Sequence, residues 1–98
     1  MKDKRTAVVG AGWFGRAHIR NYSQVSKLVA VCDANKDNLE LVKGLYDNIN
    51  VYTDVDEMIK SEDIDAVSVV TPPSNIPTIS RKFAEKGIDV LMEKPMAL

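Results

Sequence analysis

The 98-residue chain has one cysteine, one histidine, one tryptophan and two phenylalanines. A single cysteine excludes an internal disulfide. One His with one Cys is too few soft ligands for a clustered zinc site. No apolar run approaches the length of a bilayer span, and no apolar signal segment follows the charged start Met1-Lys2-Asp3-Lys4-Arg5. Thirteen Lys and Arg against fourteen Asp and Glu, interspersed, give a net charge of −1. Without a basic run or stripe the chain is not expected to bind nucleic acid. Paired catalytic carboxylates, a nucleophile elbow and a P-loop are all missing. The expectation is a cytoplasmic protein with no membrane segment and no metal. Its size suits one small domain burying roughly two-thirds of its unfolded surface.

What is present is an alternation of strand and helix signals. Apolar runs at about Arg5–Val9, Leu28–Cys32, Asn50–Thr53, Ala66–Val70 and Ile88–Met92 read as strands. Cys32, inside the second run, reads as a small core residue. Trp13 to about Gln24 reads as a helix with Phe14, Ala17 and Tyr22 among its packing positions. A second helix, Asn35 to about Tyr46, sets Leu39, Val42, Leu45 and Tyr46 on one face, with Asp33 or Asn35 as its cap. Asp54 caps a short helix bearing Val55, Met58 and Ile59. A helix from about Asn75 to Lys86 carries Ile76, Ile79 and Phe83, holds Pro77 in its first turn and stops at Gly87. The clusters Asp54, Asp56, Glu57 and Glu62, Asp63, Asp65 read as helix caps and water-facing charge. Such alternation predicts an α/β fold: a Rossmann-like, doubly wound parallel sheet of order 3-2-1-4-5, lacking a sixth strand.

The junction after the first strand carries chemistry. Gly10, Gly12 and Gly15 have the G-x-G-x-x-G spacing of a dinucleotide-binding turn. The first glycine permits the tight turn, the second lets a pyrophosphate approach the backbone, and the third lets helix and sheet pack closely. The helix that follows presents free N–H groups and a positive dipole end to phosphate. Asp33 ends the second strand 23 residues after Gly10, near the spacing expected of a carboxylate that binds ribose hydroxyls. Ala34 follows it, with no adjacent arginine for a 2′-phosphate, so NAD is favoured over NADP; Lys36 is a nearby cation. Thr71, Pro72 and Pro73 close the fourth strand at the carboxyl edge of the sheet, where open α/β sheets bind ligands; a plain strand-to-helix turn is the alternative.

Gly-Ala-Gly-Trp-Phe-Gly-Arg-Ala-His at 10–18, Thr-Pro-Pro at 71–73 and Glu-Lys-Pro at 93–95 together resemble the glucose–fructose oxidoreductase / inositol dehydrogenase family (Gfo/Idh/MocA). The resemblance covers essentially the whole chain. It implies residues 1–98 as the NAD(P)-binding domain of an oxidoreductase. Such an enzyme passes hydride between nicotinamide and a hydroxyl or carbonyl carbon of a sugar- or polyol-like substrate. It also implies a second α/β domain that reads the substrate, with no counterpart in these residues, so that the 98 residues alone are expected to be inactive. By the same resemblance Lys94 lies against the cofactor beside the nicotinamide and assists hydride transfer, Glu93 binds the nicotinamide ribose, and Thr71, Pro72 and Pro73 touch the middle of the cofactor and its nicotinamide ribose. A cis Lys94–Pro95 bond is compatible with this. One of Trp13 and Phe14 lies over the pyrophosphate or nicotinamide side while the other packs inward, unless both are simply apolar packing. His18 reads as a structural hydrogen-bonder. Ile76 stands where the family often has histidine, which removes one polar group near the nicotinamide. Alternatives are a non-catalytic NAD-binding module, or a fragment that self-associates. The edge at Val90-Leu91-Met92 invites a homodimer.

Overall fold

The computed structural model describes residues 3–91. Five strands form one parallel sheet of order β3-β2-β1-β4-β5: β1 Arg5–Val9, β2 Lys27–Cys32, β3 Asn50–Tyr52, β4 Ala66–Val69 and β5 Asp89–Leu91. Four helices alternate with them: α1 Trp13–Val25, α2 Lys36–Leu45, α3 Val55–Ser61 and α4 Ile76–Ala84. A single 3-10 turn, Pro73–Asn75, precedes α4, so that helix starts and ends later and earlier than its apolar spacing suggests. The expected topology is the observed one.

β1 is central and covered on both faces, which is why Ala7, Val8 and Val9 have almost no exposed surface. Val8 joins Ile19, Tyr22, Leu39 and Val42 beneath α1 and α2. Ala7 and Val9 join Met58 and Phe83 beneath α3 and α4. The register between β1 and β2 slips between Thr6 and Ala7, with Thr6 opposite Leu28 and Ala7 opposite Ala30. Val29 is therefore an extra residue, and Val29 and Ala30 both pack toward α3 and α4 while Leu28 and Val31 pack toward α1 and α2.

Helix phase departs from the sequence reading in two places. Ala17 is exposed, and Ile19 takes the inward position with Tyr22. The cause is Gly15, held against the turn after β1. It fixes the inward stripe at Gly15, Ile19 and Tyr22, and Ala17 lies about 200° round from Gly15. Leu45 is 72% exposed, because α2 ends there and Tyr46 turns back toward the sheet instead.

Local capping follows chemistry. The Asn35 side chain accepts from the Asp37 N–H at 2.8 Å, and Asp54 accepts from Asp56 at 3.1 Å. Beyond α4 the Gly87 N–H reaches the Ala84 carbonyl (3.0 Å) and the Ile88 N–H the Phe83 carbonyl (3.1 Å). This is the αL termination glycine favours, and Gly87 has φ +76°. Not all the expected water-facing acids are idle. Asp65 Oδ2 accepts from the Arg5 backbone N–H at 2.9 Å. Glu62 accepts from the Tyr52 hydroxyl and from Asn50.

Candidate cofactor-binding site

The carboxyl ends of β1, β2 and β4 meet at one point. Connections from β1 and β2 pass over one face of the sheet, and those from β3 and β4 over the other, so a crevice opens between β1 and β4. Past the last paired residues the backbone stays tied. Gly10 donates its N–H to the Cys32 carbonyl (2.7 Å), Val70 to Val9 (2.7 Å) and Asp33 to Tyr52 (3.0 Å). These bonds bring the glycine turn, Asp33 and Thr71 to one edge.

The three glycines do different work. Gly10 has φ +107°, and a Cβ there would sit 2.6 Å from the Val70 carbonyl oxygen. A Cβ on Gly15 would sit 1.8 Å from the Gly10 carbonyl oxygen, so α1 leans directly on the turn. A Cβ on Gly12 would meet nothing within 4 Å. Gly12 is the N-cap residue of α1, with no side-chain cap and no acid in the first turn. Gly10 and Gly15 are thus demanded by packing; Gly12 borders open space in front of a helix N-terminus.

Asp33, half-buried, faces that turn. Its Oδ2 accepts from the Ala11 backbone N–H at 2.7 Å and from Asn38 Nδ2 at 3.2 Å. Its Oδ1 accepts from the Asn35 N–H at 2.8 Å. The side-chain cap of α2 is therefore Asn35, and Asp33 instead ties β2 to the glycine turn. Ala11 and Asn38 were not singled out from the sequence. The only trace of Asn38 there is its place one turn into α2, five residues beyond Asp33.

Thr71 is half-buried beside Gly10, and its Oγ1 is buried without a hydrogen-bond partner among the described residues. Pro72 is exposed, and its carbonyl accepts from the Asn75 N–H at 2.9 Å. Ile76 is half-buried at the start of α4. The side chains of Trp13, Phe14 and Pro73 lie outside the described residues, as do Met92, Glu93 and Lys94 and the Lys94–Pro95 bond. His18 is not at the turn. Its Nδ1 lies 3.0 Å from Oγ of the buried Ser68, and its ring is 6.3 Å from that of Tyr22, which is a structural setting.

Cys32 is buried, and desolvation, then the Asp33 and Asp54 carboxylates, push its thiol up to about 12. It stays protonated near neutrality, as suits a small residue packed in the core. Among the described residues no three His, Cys, Asp or Glu side chains cluster to hold a metal, and no helix is long and apolar enough to cross a membrane. A groove of about 640 Å³ opens between α3 and α4, near Ile64 and Ile88. Those residues precede β4 and β5, so the groove is at the far edge of the sheet from the glycine turn. Lys82 crosses it to Asp56 at 3.0 Å.

An open backbone at Gly12, a carboxylate beside it and an orphaned hydroxyl at Thr71 suit a dinucleotide: phosphate, ribose and a further hydrogen-bonding group.

Known proteins resemble this chain in sequence and fold. Residues 4–98 fit the Gfo/Idh/MocA profile, described as an oxidoreductase family with an NAD-binding Rossmann fold. The chain belongs to that family. It is 38% identical over 96 residues to inositol 2-dehydrogenase of Serratia proteamaculans, covering 93% of this chain and 28% of the relative. It is 36% identical over 100 residues to 2,7-anhydro-N-acetylneuraminate hydratase of Mediterraneibacter gnavus, covering 100% of this chain and 26% of the relative. Among solved structures it is similar to scyllo-inositol dehydrogenase from Lactobacillus casei with bound NAD(H) and scyllo-inositol. The TM-score is 0.87 at 30% identity, with 99% of this chain and 29% of that chain covered. The chain spans less than a third of the length of each of these proteins.

Proposed function

We propose that this chain is the nicotinamide-binding portion of an NAD-dependent oxidoreductase acting on a sugar- or polyol-like substrate. The observation that carries the proposal is the Asp33 carboxylate, bonded to the Ala11 N–H at 2.7 Å and beside the unobstructed backbone of Gly12. An anionic group there favours a ribose hydroxyl and repels a 2′-phosphate, which supports NAD over NADP. The dinucleotide pyrophosphate belongs over Gly10–Gly15, with Trp13 or Phe14 against it. Thr71, Pro72 and Pro73 belong at its middle, where the orphaned Thr71 hydroxyl gains a partner. Bound nicotinamide supplies the hydride acceptor and donor. In this reading Glu93 holds the nicotinamide ribose, and Lys94 carries the proton to or from the substrate oxygen.

One wall cannot exclude water or orient a substrate. Turnover therefore needs a further α/β domain, and the 98 residues alone bind cofactor without catalysis. A cytoplasmic setting is part of the same proposal, and the free thiol of Cys32 is compatible with it. One observation favours a second reading: a relative at 36% identity is a hydratase by name, which supports a nicotinamide-binding module whose reaction is not a simple oxidation of substrate.

Trp13 is the sole tryptophan and stands just after Gly12, so intrinsic fluorescence tests the reading. Saturable quenching by NADH, weaker with NADPH, is the expected result; no response to either in a folded chain contradicts it. In the assembled enzyme Lys94→Met is expected to abolish most turnover and leave dinucleotide affinity within a few fold. Full turnover in that variant removes Lys94 from the chemistry.

A further inference from the structure

The candidate site spans two blocks. The glycine turn, the N-terminus of α1 and Asp33 are tied to one another: α1 leans on the turn where Gly15 meets Gly10, and Asp33 accepts from Ala11 at 2.7 Å. Thr71 belongs to the other block, at the end of β4 across the crevice. β4 is held to β1 by their ladder and by the Val70 N–H on the Val9 carbonyl (2.7 Å). The third side of this triangle, α1 to β4, is closed by a side-chain bond: His18 Nδ1 lies 3.0 Å from Ser68 Oγ.

That bond is placed to set a distance. Ser68 is opposite Val8 in the ladder and is 1% exposed, so its hydroxyl depends on a partner within the fold. A hydrogen bond is directional, whereas an apolar contact at the same place would let the helix slide. The imidazole is half-buried, and the Tyr22 ring on the same helix, 6.3 Å away between centroids, limits its swing. From His18 back to Gly12 is six residues, about 9 Å of helix. From Ser68 on to Thr71 is three residues, about 10 Å of strand. Both arms run to the carboxyl edge of the sheet, so the bond is the base of a pair of tongs whose tips are Gly12 and Thr71.

We propose that His18 and Ser68 are positioning residues for the dinucleotide: their bond sets the separation of Gly12 and Thr71, and so the fit of a ligand long enough to reach both. Neither residue touches the ligand. The inference rests on the functional reading above and goes beyond it, assigning part of the cofactor affinity to a pair buried below the site.

The test compares a long ligand with a short one. In the functional reading ADP covers the glycine turn and Asp33 only, while NAD continues across the crevice to Thr71. Affinities for both are measured by calorimetry on the unsubstituted chain, Ser68→Ala, His18→Leu, the double variant and His18→Asn, with urea midpoints to give the folded fraction of each. Ser68→Ala is expected to weaken NAD by about five- to tenfold, the worth of one hydrogen bond, and to leave ADP within about twofold. The double variant should bind NAD no worse than His18→Leu, because both changes remove the same bond. His18→Asn, whose amide can stand in for Nδ1, should recover NAD binding. Unchanged NAD affinity in Ser68→Ala overturns the proposal. So does an equal loss for NAD and ADP, which would make the bond a support of the fold alone. Ser68→Ala removes a single oxygen atom, so it decides the matter even where His18→Leu does not fold. Failure of the unsubstituted chain to bind NAD overturns the functional reading first, and the role of this pair with it.

Discussion

Ala11 donates its backbone N–H to Oδ2 of Asp33 across 2.7 Å, joining the turn after β1 to the end of β2. The two residues come from adjacent strands and are 22 positions apart. The bond ties a glycine-rich loop to the end of β2, and in the proposed reading it aims the carboxylate at the cofactor ribose. Preorganisation of this kind lowers the ordering cost of binding.

Removing the acceptor tests the clamp. Asp33→Ala leaves the Ala11, Asn35 and Asn38 donors without their partner. A loss of about 1–3 kcal/mol in denaturant-measured stability is expected, together with loss of NAD affinity. Unchanged stability would mean that water replaces the carboxylate at no cost and that the turn does not depend on it.

The glycines separate folding from binding. Gly15→Ala puts a Cβ 1.8 Å from a carbonyl oxygen, and Gly10→Ala puts one 2.6 Å from another at φ +107°. Both should lower stability by more than about 2 kcal/mol. Gly12→Ala meets nothing, so its stability should stay within about 1 kcal/mol while NAD affinity falls as the new methyl enters the pyrophosphate space. A Gly12→Ala chain that binds NAD normally would place the phosphates elsewhere.

Much of this was legible beforehand because the signals are local. Apolar runs bounded by turn residues gave all five strands, and the G-x-G-x-x-G spacing located the turn. Long-range contacts were not legible. Nothing in the sequence pairs Arg5 with Asp65, His18 with Ser68, or Asn38 with Asp33. The apolar spacing points Ala17 and Leu45 inward and the structure exposes both, because a short amphipathic helix has several nearly equivalent phases. A tertiary contact, Gly15 against Gly10, chooses among them in α1. The slip that places Val29 beside Ala30 is likewise a property of the pairing and is not visible in an apolar run.

Stability should fall in alkali. Burial pushes the Cys32 thiol from 9.0 to about 12. Burial, then the hydrogen bond to Glu62, pushes the Tyr52 hydroxyl from 10.0 to about 12. Both groups hold their protons longer folded than unfolded. Between pH 9 and 12 the unfolded chain therefore binds fewer protons, and stability is full below pH 9 and lost as pH rises through that window. Urea midpoints across the window should decline, and Cys32→Ala should decline less steeply. A flat profile would mean that neither group is sequestered in the fold.

The edge of β5 is unpaired among the described residues, with Val90 and Leu91 half-buried. Open strand edges recruit partners. Light scattering should show association growing with concentration. A mass fixed at one chain at every concentration would rule out self-association through that edge.

In the proposed reading the glycine turn and Asp33 form a working NAD site. The direct measurement is an amide-resolved NMR titration of the chain with NAD, NADH and NADP. Saturable shifts concentrated at Gly10–Gly15 and Asp33, larger with NAD and NADH than with NADP, are predicted. A folded chain whose spectrum does not respond, or responds equally to NADP, would contradict the claim.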